Sequence, residues 1–300
     1  MNRSRCFLLC AVLALAAVPA LPAAPVPEAE EAYRRGRTLF AEENYAGAQG
    51  AFEKALSLAP STSLYSQWLG RAYGLEAQHA GLLSRPGFAT RSRDALERAV
   101  ALDPDNVGAR SDLAAYYHAA PSLLGGSLAK AQAQVTEIAR RDPYLGHVRT
   151  GDLLVDDGKY LDAEKEYLSA VALDPRRAQA HERLGYFYTE GKIYAKAFAQ
   201  YDALLAADPG QTHALYGIGR LAALTGQRTA EGELALRKFL NKYRPDPDGG
   251  PTPARAHYFL GWLLAARGDT AGARAEYTEA LRLRPKLDEA RKALNELGSV

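Results

Sequence analysis

Six histidines are the side chains in this sequence best suited to bind a metal ion or to transfer protons near neutral pH. They are His79, His118, His147, His181, His213 and His257. His79, His118 and His213 have no second ligand at the short spacing that metal sites use. The other three occupy the same position of a repeated unit, described below, where packing between helices is the favoured role. The sequence therefore predicts no metal ion and no catalytic histidine.

Two short motifs look at first like ligand-binding loops. Residues 156 to 158 are Asp-Asp-Gly, but the regular oxygen ligands and closing Glu of a calcium loop are missing. Residues 124 to 127 are Leu-Gly-Gly-Ser, which lack the Lys of a phosphate loop and follow no predicted strand. No serine lies in a nucleophile elbow. We expect no cofactor and no enzyme activity, and catalysis remains only a distant alternative.

A set of spaced residues recurs four times along the chain. Each copy has a Gly, an Ala twelve residues later, an aromatic residue four further on, a small or apolar residue and a closing Pro. The copies are Gly36, Ala48, Phe52, Ala55 and Pro60; Gly151, Ala163, Tyr167, Ala170 and Pro175; Gly185, Ala197, Tyr201, Leu204 and Pro209; and Gly261, Ala273, Tyr277, Ala280 and Pro285. Such a recurrence is typical of stacked repeats, which form concave surfaces rather than sealed pockets.

Each unit contains two apolar-periodic segments joined by a short polar turn, which predicts a pair of antiparallel helices. In residues 178 to 211 the first stripe has the helical spacing i, i+3, i+4 and i+7 and consists of His181, Leu184, Gly185 and Tyr188. Ala197, Tyr201 and Leu204 form the second stripe, which ends before Pro209. The small residues at Gly185 and Ala197 indicate that the two helices touch there.

These positions resemble the tetratricopeptide repeat, whose Leu-Gly, Tyr, Ala, Phe and Pro pattern they follow. The resemblance covers residues 29 to 285. It implies an all-α, right-handed α-solenoid of about seven helix pairs, with a C-terminal capping helix in residues 286 to 300. The predicted units are 29–62, 63–106, 107–143, 144–177, 178–211, 212–253 and 254–287. Leu287, Ala290, Leu294 and Leu297 lie on one face of the cap.

Three units depart from the pattern. The second has an insertion at about 76–93, where we expect the helix from Leu64 to continue to Leu83 and the chain to turn at residues 85 to 87. The third has an insertion at 120–127. The second helix of the sixth, near residues 230 to 243, lacks the Ala and aromatic spacing, and a loop or hinge follows at 244–253.

The resemblance also implies which residues line the concave groove. They are Tyr33, Arg37, Phe40, Gln67, Arg71, Ser111, His118, Asp152, Asp156, Gln179, Glu182, Tyr186, Glu190, Tyr216, Arg220, Arg255, Tyr258 and Trp262. Aromatic residues and Arg dominate both ends, and acids gather near the middle. An extended peptide with a basic centre would suit this pattern, although the same mixture is typical of a solvated groove. The Lys and Asn clamp that some family members use for a terminal carboxylate is absent, and Arg37 with Arg71 could form a looser anion site.

The two insertions lie at the same edge of neighbouring units. We expect Leu82, Leu83 and Phe88 to pack on Leu123 and Leu124 and to form a lip beside the groove. Two interpretations remain open. The lip either buttresses the array or binds a partner protein.

The N-terminus has the layout of a secretory signal peptide in residues 1 to 24, followed by a flexible leader at 25–28. Arg3 and Arg5 precede an apolar run at residues 6 to 18 and then small residues, with cleavage best placed after Ala20. The run is shorter than the roughly 20 residues of a spanning helix, so a retained membrane anchor is the weaker alternative. We expect a periplasmic or secreted protein.

Composition limits the classes of partner. Both cysteines, Cys6 and Cys10, lie in the predicted signal peptide, so the mature chain has no thiol. The chain has 37 basic and 35 acidic residues, and loss of Arg3 and Arg5 leaves 35 of each. This balance gives no electrostatic reason to expect binding to nucleic acid.

The sequence therefore favours a protein-interaction scaffold or peptide-binding adaptor in the bacterial envelope, with a protein or peptide as partner. The alternative is an accessory structural subunit of an envelope polysaccharide or secretion assembly. The oligomeric state and the partner are not predicted by any residue pattern in the chain.

Overall fold

The computed structural model describes residues 26–244 and 250–298. Within these residues the chain has fifteen α-helices, one 3-10 turn at Ser122–Leu124 and no strand. The helices are α1 (Pro27–Ala41), α2 (Tyr45–Leu58), α3 (Ser63–His79), α4 (Arg85–Leu102), α5 (Val107–Ala119), α6 (Leu128–Arg141), α7 (Pro143–Asp156), α8 (Tyr160–Leu173), α9 (Ala178–Glu190), α10 (Tyr194–Ala207), α11 (Thr212–Thr225), α12 (Thr229–Lys242), α13 (Pro253–Ala266), α14 (Thr270–Leu283) and α15 (Asp288–Glu296). The predicted signal peptide and most of the predicted 244–253 loop lie outside the described residues.

The helices pack in seven consecutive pairs, followed by α15. This confirms the all-α solenoid of about seven pairs with a C-terminal helix. The recurring Gly explains the packing within a pair. A Cβ added to Gly36 would lie 2.5 Å from Cε1 of Phe52, and one added to Gly151 would lie 2.5 Å from Cε1 of Tyr167. Only a residue without a side chain allows the aromatic ring of the second helix to approach this closely.

The sixth unit is more regular than the sequence indicates. Its second helix, α12, is complete, and Gly232 takes the place of the usual Ala, where an added Cβ would overlap the Cβ of Ala222. Leu236 replaces the aromatic residue and packs against Gly219. A smaller residue and an aliphatic one thus preserve the same contact although the Ala and aromatic spacing is missing.

The second unit also differs from expectation. The helix that begins at Ser63 ends at His79 rather than Leu83, and the turn precedes Arg85 instead of covering residues 85 to 87. Pro86 lies in the first turn of α4. Backbone N–H groups in this turn have no acceptor within the helix, so a proline, which lacks an N–H, costs no hydrogen bond there. Pro27 does the same in α1, so the predicted leader at 25–28 already includes the start of a helix.

The turns within most pairs include a residue in the left-handed region. Gly158, Gly226 and Gly268 supply it with φ of 75°, 69° and 88°. Glu43 and Lys192 adopt the same conformation with φ of 61° and 56°. The turn geometry is therefore kept even where the residue has a side chain that disfavours it.

The apolar core is uneven along the array. One continuous cluster extends from Tyr144 to Tyr277, and a second joins the first two units. Between them lies a small cluster of Leu96, Leu113, Tyr117 and Ala131. At the C-terminal end of the array, Leu287 and Ala290 pack against the last helix pair and hold α15 in place. An ion pair between Arg284 and Glu43 joins the last unit to the first.

Candidate binding groove

The first helices of successive units lie side by side, and the residues predicted for the groove form contacts from one unit to the next. α3 contacts α5, α5 contacts α7, α9 contacts α11, and α11 contacts α13. The predicted residues are not all available to a ligand, however. Tyr33, Gln67, Ser111 and Tyr216 are buried. These four side chains pack beneath the groove and are not part of its exposed surface.

At the N-terminal end, two guanidinium groups lie over the ring of Trp68. The Cζ atoms of Arg37 and Arg71 lie 3.7 and 4.6 Å from the ring centroid. Arg71 Nε donates a hydrogen bond of 2.6 Å to Asp112, which neutralises its charge. Arg37 donates to the hydroxyl of Tyr33 at 3.0 Å and has no carboxylate partner among the described residues. The predicted anion site therefore depends on Arg37 alone.

Two other predicted residues of this end are used in packing. The ring of Phe40 meets that of Trp68 edge to face, with centroids 5.2 Å apart. The hydroxyl of Ser111 donates to the carbonyl of Val107 in its own helix at 2.8 Å. Phe40 is half-buried and Ser111 is buried, so both contribute to packing at this end.

The acidic middle of the groove is compensated by neighbouring groups. Asp152 accepts from Arg149 at 2.8 Å, from Arg183 at 2.7 Å and from the hydroxyl of Tyr167 at 2.9 Å. Glu182 pairs with His213 of the next unit. An extended peptide with a basic centre is thus not favoured, because these carboxylates already have partners.

The same is true where the third and fourth units meet. His118 pairs with Asp157 at 3.1 Å and with Asp156 at 3.6 Å. Hydrogen bonds from Lys159 and then from His118 hold the pKa of Asp157 below its usual value. Among the predicted groove acids, Glu190 is exposed and has no ion pair within the described part of the chain.

Towards the C-terminal end, Arg and aromatic residues again lie together. The Cζ atom of Arg220 lies 4.4 Å from the ring centroid of Tyr186 in the preceding unit. Burial, followed by the neighbouring Tyr186, raises the pKa of Tyr216 to about 12. Arg255 pairs with Glu289 of the C-terminal helix at 3.6 Å. Beyond it, Tyr258 and Trp262 line a cavity of 770 Å³ between α13, α14 and α15.

The sequence and fold match known repeats. Two family models described as tetratricopeptide repeat match the chain, one at residues 29–62 and 254–287 and the other at 148–212. This chain is a tetratricopeptide repeat protein. No curated protein matches it in sequence.

Solved structures share the tetratricopeptide repeat fold at low identity. A human IFIT1 dimer with PPP-AAAA is 18% identical, with a TM-score of 0.55, and the match covers 90% of this chain and 63% of that one. The Cut9-Hcn1 hetero-tetramer of APC/C is 15% identical, with a TM-score of 0.50, and the match covers 89% and 55%. A tetratricopeptide repeat protein from Parabacteroides merdae is 14% identical, with a TM-score of 0.49 and coverage of 90% and 98%. This tetratricopeptide repeat chain thus spans less than two thirds of the first two proteins, and the likenesses concern the fold alone.

The predicted lip of the tetratricopeptide repeat array does not form a packed cluster. Leu82, Leu83 and Leu123 are 82, 100 and 94% exposed, so their side chains do not pack on one another. Phe88 instead packs near Tyr73, with ring centroids 6.4 Å apart. The carbonyl of Leu124 accepts hydrogen bonds from Arg93 and Tyr116. A partner-binding role for these residues stays a prediction.

Three histidines of the tetratricopeptide repeats lie at the interface between the two helices of a pair. His147 bonds Glu166 at 2.7 Å, and His257 bonds Glu276 at 2.6 Å. The equivalent His181 is buried and contacts Gln200 at 3.0 Å. Each partner lies 19 residues later, which confirms the predicted position between helices. In residues 26–244 and 250–298, no three His, Cys, Asp or Glu residues are grouped as metal ligands.

Sequence reasoning missed tyrosine hydrogen bonds that join neighbouring tetratricopeptide repeats at three junctions. The hydroxyl of Tyr73 donates to Glu53 at 2.5 Å, and that of Tyr117 donates to Glu97 at 2.6 Å. Tyr188 donates to Glu164 in the same way. The recurrence of a Glu about 20 residues before such a Tyr was the available signal.

None of the described helices is long and apolar enough to cross a membrane.

Proposed function

We propose that this chain is exported to the bacterial envelope, where it binds an extended segment of a partner protein in its groove. The supporting observation is the position of two arginine side chains and the lack of a carboxylate partner for them in the described part of the chain. Arg37 and Arg220 each lie over an aromatic ring, and neither has a carboxylate partner among the described residues. A guanidinium held in this way binds carboxylates and peptide carbonyls. The partner segment would therefore carry acidic side chains.

A peptide-display selection against residues 21 to 300 tests this proposal. We expect enrichment of segments with acidic residues. The double variant Arg37→Ala, Arg220→Ala should weaken binding of a selected peptide by about tenfold or more. Arg176→Ala is the matched control, because Arg176 is an exposed arginine outside the first helices.

Equal binding by the double variant and the control would contradict the role of these arginines. The melting temperature of each variant should be measured alongside, because Arg37 also packs on Trp68. A single partner that copurifies in fixed stoichiometry, without any selected peptide, would favour the alternative of an accessory structural subunit.

Export is supported by the basic, apolar and small-residue order of residues 1 to 24. The test is the N-terminus of the protein purified from bacterial cells with a C-terminal tag. We expect a mature chain that begins at Leu21 in the periplasmic or secreted fraction. An intact N-terminus in the membrane fraction would instead support the retained anchor.

A further inference from the structure

The cavity at the C-terminal end of the groove is built differently from the rest of the concave face. Its volume is 770 Å³, within the range of about 300 to 1,000 Å³ that ligand sites occupy. Three aromatic residues, Tyr258, Trp262 and Tyr277, line it. Two glutamates of α15, Glu289 and Glu296, line it as well.

The rings are arranged so that more than one aromatic face is presented. The centroid of Tyr258 lies 5.9 Å from that of Trp262 at an interplanar angle of 58°, and 6.0 Å from that of Tyr277 at 37°. Tyr258 and Trp262 are half-buried, whereas Tyr277 is buried. The negative face of each ring attracts a cation placed within about 6 Å of its centroid.

One of the two carboxylates that line the cavity has no ion pair among the described residues. Glu289 pairs with Arg255, but Glu296 has no ion pair within residues 26–244 and 250–298. Tyr277 and Glu296 both line the cavity, and burial, then Tyr258 and Glu296, raise the pKa of Tyr277 to about 12. Lys292 also lines the cavity, yet it forms no ion pair with either glutamate.

We propose that this cavity binds the basic side chain, Arg or Lys, of the peptide segment held in the groove. The inference rests on the proposed function. An ammonium or guanidinium group in the cavity contacts the ring faces and pairs with Glu296, while its methylene groups pack on the aromatic carbons. Lys292 competes with the ligand for the same carboxylate. The bound segment thus combines acidic residues facing Arg37 and Arg220 with a basic residue at this end.

The test uses small probes and the mature chain, so that it does not depend on a selected peptide. N-acetylarginine amide is titrated by calorimetry and by the fluorescence of Trp262 in a Trp68→Phe background, with N-acetylcitrulline amide as the neutral isostere. We expect saturable binding of the arginine probe, about tenfold or more tighter than the citrulline probe. Lys292→Met should tighten the arginine probe.

Glu296→Gln should remove the preference for arginine over citrulline, and Glu42→Gln, the same change at an exposed site at the end of α1, should leave it intact. Glu296 is exposed, so its variant keeps the fold, which a melting curve verifies. Equal affinity for both probes, or saturation by neither, overturns the cavity inference. If selected acidic peptides still bind in that case, only the cavity inference fails and the proposed function is retained. The two failures can therefore be distinguished.

Discussion

At the scale of single residues, the fold depends on rings that occupy space left by glycines. Tyr201 illustrates this most clearly. A Cβ added to Gly185 would lie 2.5 Å from its hydroxyl oxygen, and one added to Gly217 of the next unit would overlap its ring. The ring is therefore enclosed by two units at once. The spacing of Gly185 and Tyr201 is visible in sequence, but the role of Gly217 is not, because it arises from stacking between units.

Gly217→Ala should lower the free energy of unfolding by about 1 to 3 kcal/mol, because the added methyl group displaces the ring of Tyr201. Gly50→Ala is the control. Gly50 lies in α2 with open space around it, so this change should be neutral or should stabilise by up to about 1 kcal/mol. Urea denaturation measures both. Similar losses in the two variants would contradict a steric origin.

His181 gives the array a pH dependence. Burial lowers its pKa from the ordinary value of 6.5, although Gln200 and the carbonyl of Pro175 oppose that shift. The unfolded chain therefore binds a proton at a higher pH than the folded chain does. By linkage, stability is unaffected above 6.5 and falls as the pH drops below it.

We expect His181→Gln to reduce the loss of stability on acidification below pH 6.5. The measurement is the midpoint of urea denaturation at several pH values for the two proteins. The absolute midpoint of the variant can differ, because the informative quantity is the change of the urea midpoint with pH. The same change of midpoint with pH in both proteins would show that other groups cause the acid sensitivity.

At the scale of elements, helix ends were less predictable than helix existence. The second unit shows why. The apolar periodicity of α3 continues past His79, but Pro86 and Gly87 begin a new helix instead of forming a turn. Proline is compatible with both a helix start and a turn, so local sequence does not choose between them. Likewise, α12 has Gly232 in place of the usual Ala and Leu236 in place of the usual aromatic residue, and its contact with α11 is preserved.

The left-handed turn residue gives a prediction at this scale. Lys192→Gly should raise the free energy of unfolding by up to about 1 kcal/mol, because Gly adopts a φ of 56° without the strain of a side chain. The reverse change, Gly158→Ala, should lower it by about 1 to 2 kcal/mol. An added Cβ at Gly158 meets nothing within 4 Å, so only backbone strain is tested. Thermal unfolding of both variants checks the opposite signs.

At the scale of the whole molecule, the array is joined by polar contacts where its apolar core is thin. Between the second and third units, Asp112 accepts hydrogen bonds from Arg71 at 2.6 Å and from Gln67 at 2.7 Å. The large cluster begins only at Tyr144. In a repeat array most contacts are between neighbouring units, so a weak junction limits the cooperativity of folding.

Asp112→Ala should lower stability by about 2 to 3 kcal/mol, since it leaves Arg71 and Gln67 without their acceptor. It should also separate the unfolding of the first two units from that of the remainder. The control is Asp105→Ala, which removes an exposed ion pair with Arg141 and should cost less than about 1 kcal/mol. Calorimetry distinguishes one transition from two, and a single unchanged transition would contradict the weak junction.

The sequence by itself determined the repeated helix pair, because the Gly and aromatic residues that specify it are close in the chain and belong to one unit. It also predicted Tyr258 and Trp262 as groove residues, and both line the cavity at the C-terminal end. Only the tertiary structure decided the charge of that groove. Arg71 meets Asp112 across 41 residues, Asp152 meets Arg183 across 31, and Glu182 meets His213 across 31. These pairs depend on how neighbouring units stack and which side chains then come within hydrogen-bond reach, which no spacing within a single unit encodes.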